Sequence, residues 1–203
     1  MPMGVSGEQA DALAMKMLSA LDYPAFENTD YIEWTHQRKR HYRWYKNKHN
    51  VNVHWKEYRV NLNLKNPDNH KAYVHGFIID GDMADELIEK AVNYFNKDSF
   101  WLVAPYKIFD EGTKRQLVSN QNNENALLVT YNSNHSYAGD SYLWLLDSSG
   151  KPEALKMWTS KLPIDGIKSS WSDWKTTESG AQLPTFHKVL FFGFEIDEIE
   201  TTR

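Results

Sequence analysis

The sequence predicts an α+β fold: a large curved antiparallel sheet, an unclosed half-barrel, with helices covering its concave face. Three observations lead there. Apolar and polar side chains alternate over long stretches, the period-two mark of strands with one buried face. Only two segments, near residues 8–21 and 82–95, carry apolar residues at helical spacing. Eight tryptophans are many rings for a sheet under two modest helices, and a sheet that curls without closing leaves a ring-lined hollow.

In chain order, Ser6 and Gln9 form a capping-box pattern, after which Ala10, Leu13, Ala14, Met17, Leu18 and Leu21 recur at helical spacing until Tyr23-Pro24 stops the run. Ile32, Trp34, Tyr42 and Trp44 then occupy even positions, Val51, Val53 and Trp55 odd ones, and Tyr58, Val60, Leu62 and Leu64 even ones again. Breaks near 37–40, 46–50 and 56–57 divide this stretch into a four-strand meander, the last break being a turn or a bulge that bends one long strand. After the loop KNPDNHKAY, the segment VHGFIIDGDM reads as a short strand and turn. Asp82 then caps a helix whose stripe is Ala84, Leu87, Ile88, Ala91, Tyr94 and Phe95. DSFWLVAPYKIFDEG, punctuated by Pro105 and a turn at 110–112, reads as an apolar segment over one end of the sheet. ALLVTY, a polar loop, and the pair YLWLLD and ALKMW around Ser148-Ser149-Gly150 give further strands. IKSSWSDWKTT and LPTFHKVLFF close the chain with two more.

At 203 residues the chain is long enough to bury a core without staples, and no linker divides it, so it reads as a single domain, 1–203. Residues 1–6 are expected to stand outside the ordered part as an added start in place of an export signal. Nothing approaches the ~20 apolar residues of a transmembrane span. Zero cysteines exclude disulfides, cysteine metal sites and a thiol nucleophile.

The net charge of −4 conceals a basic stretch: residues 36–59 carry a local charge of +7, leaving −11 for the rest. Its lysines and arginines interleave with tryptophan, tyrosine and histidine, a composition that also suits nucleic acid. The alternation argues for a solvated sheet face instead: Arg38, Lys39 and Arg40 fall in a turn, and Arg43 and His54 face away from the tryptophans. No second stretch of similar density exists, so no nucleic-acid partner is expected. Glu195, Asp197, Glu198 and Glu200 are candidates to compensate the patch.

Six of the eight histidines fall in pairs five apart, 36/41, 49/54 and 70/75. An odd separation sends side chains to opposite faces of a strand, so no metal site is expected from them. No phosphate loop, nucleophile elbow or metalloprotease helix is present, no cofactor is implied, and no enzyme is predicted. The rings remain. In the bland reading they fill a core; in the functional one Trp34, Trp44, Trp55, Phe100, Trp101, Trp144 and Trp158 line a hollow for a hydrophobic ligand. The alternatives are a hydrolase using acidic and histidine side chains in the same hollow, or a protein-interaction module with a filled core.

The helix, the strand IEWTHQ, the meander, the DG turn, FWLVAPYKIFDEG, the hairpin YLWLLDSSGKPEALKMW and the closing strands together resemble the periplasmic lipoprotein-carrier (LolA-like) superfamily and the outer-membrane lipoprotein-sorting-like proteins of bacteria, over residues 7 to 194. The resemblance implies an unclosed barrel with a helical lid, an acyl chain or lipid as ligand, an envelope protein as partner, a monomer, and a place in the periplasm or cell envelope. The family's arginine near a proline on a central strand, which governs lid closure, has no counterpart in the sequence.

Overall fold

The structure, a computed structural model, describes residues 1–119, 125–132, 137–159 and 164–203. Its first half contains the helices α1 (Glu8–Ala20) and α2 (Tyr23–Glu27), the strands β1 (Tyr31–His36), β2 (Arg40–Tyr45), β3 (Asn50–Trp55), β4 (Tyr58–Asn63), β5 (Lys71–Val74) and β6 (Phe77–Ile79), and the helix α3 (Asp82–Val103). Among the described residues the second half contains, after a short 3-10 turn, the strands β7 (Thr113–Ser119), β8 (Asn125–Tyr131), β9 (Ser141–Leu146), β10 (Pro152–Trp158), β11 (Ile167–Ser170), β12 (Ser172–Thr176), β13 (Gln182–Val189) and β14 (Phe192–Thr202). The fold is α+β. Its antiparallel sheet runs in the order β6-β5-β4-β3-β2-β1-β14-β13-β11-β10-β9-β8-β7, with β12 beside β13, and is open rather than closed into a barrel.

The chain divides into two compact units. A meander unit comprises Pro24–Leu102, Lys175–Thr185 and Glu195–Arg203; a hairpin unit comprises Met1–Tyr23, Val103–Trp174 and Phe186–Phe194.

In the meander unit the expected four strands form with their breaks where the polar runs lie. The break at Lys56-Glu57 is a two-residue turn, since Trp55 pairs directly with Tyr58 and Lys56 takes φ 50°. Buried positions alternate along β1 and β3 as the spacing predicts, and Ile32, Trp34, Tyr42, Val51, Val53, Val60 and Leu62 are all buried. β5 begins at Lys71, inside the stretch expected to be loop, and Val74 pairs with Phe77 across His75-Gly76. Both turn residues have positive φ, which suits a two-residue hairpin because that twist matches the strands.

Asp82 is the first residue of α3, not its cap. The Gly81 carbonyl accepts from Ala84 N (2.8 Å) and Asp85 N (3.1 Å), and Asp82 lies in the first turn, where its charge complements the helix dipole. The helix also runs farther than the sequence suggests, through Phe100, Trp101 and Leu102, because the spacing of Ala91, Phe95 and Leu102 keeps one stripe buried. It stops only where Pro105 removes an N–H donor and disfavours α geometry before it.

In the hairpin unit α1 buries Ala10, Ala14, Met17, Leu18 and Leu21. Its N-cap is Gly7 rather than Ser6, with no side-chain cap. Val5 pairs with Leu117 of β7 in both directions (2.9 and 2.8 Å), so the chain reaches the helix through a glycine at φ 136° that draws Ser6 away from the first turn. Asp11 accepts from Arg115 Nε at 2.6 Å, and Tyr106 donates to the Leu21 carbonyl at 2.9 Å. β7 itself was not expected: the first four residues of TKRQLVS are all polar and only Leu117 and Val118 are apolar, so this strand at the end of the sheet lacks the apolar run that reveals an inner strand. At Gly150, a Cβ would lie 2.8 Å from Lys16 Cγ, so only glycine admits this approach of turn and helix. The polar loop expected after Tyr131 lies in part outside the described residues.

Candidate functional site

Strands β1–β3 place Trp34, Tyr42, Trp44 and Trp55 on the face that α3 covers. Trp34 stacks on its cross-strand partner Tyr42 with centroids 4.6 Å apart and planes at 16°. Phe95 of α3 stands 6.3 Å from Trp34 and edge-on to Trp44 at 5.5 Å, while Tyr94 meets Trp55 edge-on at 5.5 Å. Edge-to-face and offset contacts of this kind add to the area each ring buries. Trp34 is fully buried and Trp55 nearly so, whereas Trp44 remains half-buried at the border.

Beneath the same helix lies a charged cluster that the sequence reading missed. Asp98 of α3 accepts from Arg40 Nε at 2.5 Å and Nη2 at 3.1 Å and from Tyr42 Oη at 2.5 Å, with His36 Nε2 at 3.5 Å. The Asp98 side chain is 5% exposed. Burial works against the Arg40 charge, but the hydrogen bonds and charge of Asp98 offset this and hold the guanidinium above its ordinary range. Burial, then the Asp98 charge, raises the Tyr42 phenol; burial lowers His36 despite Asp98 beside it. Sequence placed Arg40 in the turn. The signal that places it correctly is parity: Arg40, Tyr42 and Trp44 are in phase, so Arg40 belongs to the covered face.

On the opposite face Arg38 is met by acids of β14 and Arg43 by Glu33 of β1. Arg38 reaches Glu195 and Asp197, each at 3.6 Å, and Thr35 donates to Glu198 at 2.5 Å. Glu33 accepts from Tyr31, from Arg43 Nε at 3.0 Å and contacts His41 Nε2 at 2.7 Å. Burial pushes the Glu33 carboxyl up, but these partners outweigh it and leave it below the usual carboxylate range. His54, paired with His41 across β2 and β3, is drawn down to about 4 by burial first and by His41, Arg43 and Arg59 after it. An unfolded histidine titrates near ~6.5, so between that pH and about 4 the unfolded chain binds a proton that folded His54 does not. The stability from neutral His54 is therefore complete above pH ~6.5 and is lost on acidification. Urea midpoints at pH 7 and pH 5 should fall less for His54→Asn than for the unaltered protein; an equal fall would assign the acid sensitivity elsewhere.

Of the clefts along these faces, two differ sharply in character. One, of about 150 Å³, opens between α3 and the edge of the meander, with Leu62, Leu64, Pro67, Val92 and Phe95 in its wall. The other, of about 560 Å³, lies over the uncovered ends of β2–β5 and is polar. Among the described residues no three histidine or carboxylate side chains are grouped to hold a metal, and no described helix is long and apolar enough to cross a membrane.

The structure gathers Trp34, Trp44 and Trp55 under α3, and places Phe100 and Trp101 in the last turns of that helix, edge-to-face at 5.2 Å. Trp144 and Trp158 belong to the hairpin unit and stand on opposite faces of its sheet. Trp144 is in register with Leu127 and Leu155 and meets Trp171 at 5.0 Å, whereas Trp158 packs on Leu128 and Leu143. Those two rings therefore cannot line one surface, because the register across the 148–150 turn sets them out of phase.

No family model and no curated protein matches the sequence. Among solved structures, the chain is similar to a DUF1329 family protein from Desulfovibrio piger ATCC 29098, at 12% identity and a TM-score of 0.44 over 97% of this chain and 92% of that one. It is also similar to a putative outer membrane lipoprotein-sorting protein domain from Vibrio parahaemolyticus, at 9% identity and a TM-score of 0.39 over 93% of each.

Proposed function

We propose that this protein is a non-catalytic carrier of a hydrophobic ligand, an acyl chain of a lipid or lipoprotein, in the periplasm or cell envelope. The observation that carries the reading is the apolar cleft at the border of α3, whose wall residue Phe95 touches both Trp44 and Trp34. About 150 Å³ is the size of an apolar cavity that accepts benzene, so it takes the end of an acyl chain. Movement of α3 extends the cleft onto Trp34, Trp44 and Trp55, with Phe100 and Trp101 carried on the moving helix. Each methylene removed from water contributes ~0.8 kcal/mol, and the Arg40–Asp98 pair tethers the lid. Both Asp98 oxygens are engaged by Arg40, which makes that carboxylate a tether rather than a general base.

A second surface supports the envelope setting. The turn between β13 and β14 exposes Phe191 at 91% and Phe192 at 77%, beside exposed Lys188. Apolar tips flanked by lysine suit a lipid–water interface.

Native mass spectrometry of gently purified protein, with extraction of anything bound, tests the proposal alongside titration with a fluorescent fatty acid. A bound acyl species is expected, with affinity falling roughly tenfold in Trp44→Ala. A clean apo mass indifferent to fatty acids and lipopeptides would overturn it.

A further inference from the structure

The face of β2–β5 that α3 does not cover holds an arrangement that a merely solvated face does not require. Asn50 and Asn63 are cross-strand partners, as are Asn52 and Asn61. Four amides thus stand as two adjacent pairs on one face. Asparagine is depleted in strands, where threonine or a charged residue would serve solubility better. Asn63 has a local role, since its Oδ1 accepts from Lys65 N at 3.0 Å and Asn66 N at 2.8 Å. The other three have no such turn to close, and Asn61 Oδ1 accepts no hydrogen bond from the protein, which leaves an acceptor on this face for water or a ligand.

These amides line the cleft of about 560 Å³, within the size range of small-molecule sites. Tyr45 pairs with Asn50 at one border and supplies a ring. Lys48 stands over that ring, its Nζ 5.8 Å from the centroid, and Lys71 pairs with Asn61 at the other border. Among the described lining residues there is no carboxylate. Uncharged amides donate and accept at once, which matches hydroxyl groups that do the same. The half-buried Tyr45 ring offers its accessible part to the C–H face of a pyranose, and a lysine at each border favours a ligand carrying negative charge.

We infer that this cleft binds an acidic saccharide, a sugar bearing a phosphate or carboxylate group. The inference does not rest on the acyl-carrier reading, which concerns the opposite face of the same strands, and either can fail alone. A saccharide free in solution and the headgroup of a glycolipid share this chemistry, the acidic sugar ring.

The test is side-chain amide NMR of the full chain titrated with glucose 1-phosphate, glucuronate, glucose and inorganic phosphate. The acidic sugars are expected to shift the NH₂ signals of Asn50, Asn52 and Asn61, with glucose weaker by roughly tenfold. Asn52→Thr and Asn61→Thr should each weaken binding by roughly tenfold while the thermal midpoint holds or rises, because threonine is the better strand former. That combination separates lost recognition from lost folding. Octyl glucuronide binding more tightly than glucuronate, with the same dependence on asparagine, assigns the headgroup source; equal affinity assigns the free sugar. Three results overturn the inference: no response to either acidic sugar through the millimolar range, an equal response to inorganic phosphate, or binding indifferent to both threonine variants.

Discussion

Asp98→Ala is expected to lower the unfolding free energy by about 3 kcal/mol, the lower end of the range for removing one partner from a buried pair, because the Arg40 side chain keeps 21% exposure. The alanine leaves the Arg40 guanidinium beneath α3 with no carboxylate, and Tyr42 Oη loses its 2.5 Å acceptor. His36 loses the charge that partly opposes the effect of burial on its ring. Replacing Arg40 and Asp98 together by apolar side chains of similar volume should be far milder, because no uncompensated charge then remains. Urea unfolding of the two variants measures the difference. A loss in Asp98→Ala of about 1 kcal/mol or less, the range of an exposed ion pair, would show that solvent screens the pair and that α3 is not tethered there. If the pair does hold the lid, the same substitution also speeds exchange of a bound fatty acid.

Trp34→Ala should be comparably severe, at about 3–5 kcal/mol, since truncating a buried ring adds a cavity to the lost transfer free energy. Trp34 is fully buried between Tyr42 and Phe95. Trp44, half-buried at the border of the same layer, should cost only about 1–2 kcal/mol on truncation, yet it is the ring placed to meet a ligand first. Denaturant unfolding and fatty-acid titration of both variants separate packing from binding. Equal stability losses would contradict the burial seen here and place both rings in one closed core.

The alternation of Ile32, Trp34, Tyr42 and Trp44, and of Val51, Val53 and Trp55, was enough to read the meander and the phase of its rings. A period of two is local and survives whatever packs on it. The stripe of α3 was equally legible, and of the acids read as candidates to compensate the basic stretch Glu195 and Asp197 do meet Arg38. The caps were not. Ser6 and Asp82 have the right chemistry, but glycines at 7 and 81 set the chain direction, and the Val5–Leu117 pairing that draws Ser6 away is a contact between distant residues. The candidate site shows the same division. Its rings were readable in unit 24–102, whereas Trp144 and Trp158 could be sorted to opposite faces only once the register of β9 and β10 was known.

By itself, then, the sequence determined the α+β class, the strand meander, the two main helices and which side chains share a phase. The tertiary structure alone decided which phase α3 covers, that Arg40 meets Asp98 across 58 residues, and that four asparagines on two strands form one cleft wall. The physical reason is that periodicity records how a segment divides its own side chains between two faces, while partners and cover come from pairing between segments. A single strand carries no information about which residues will stand opposite it.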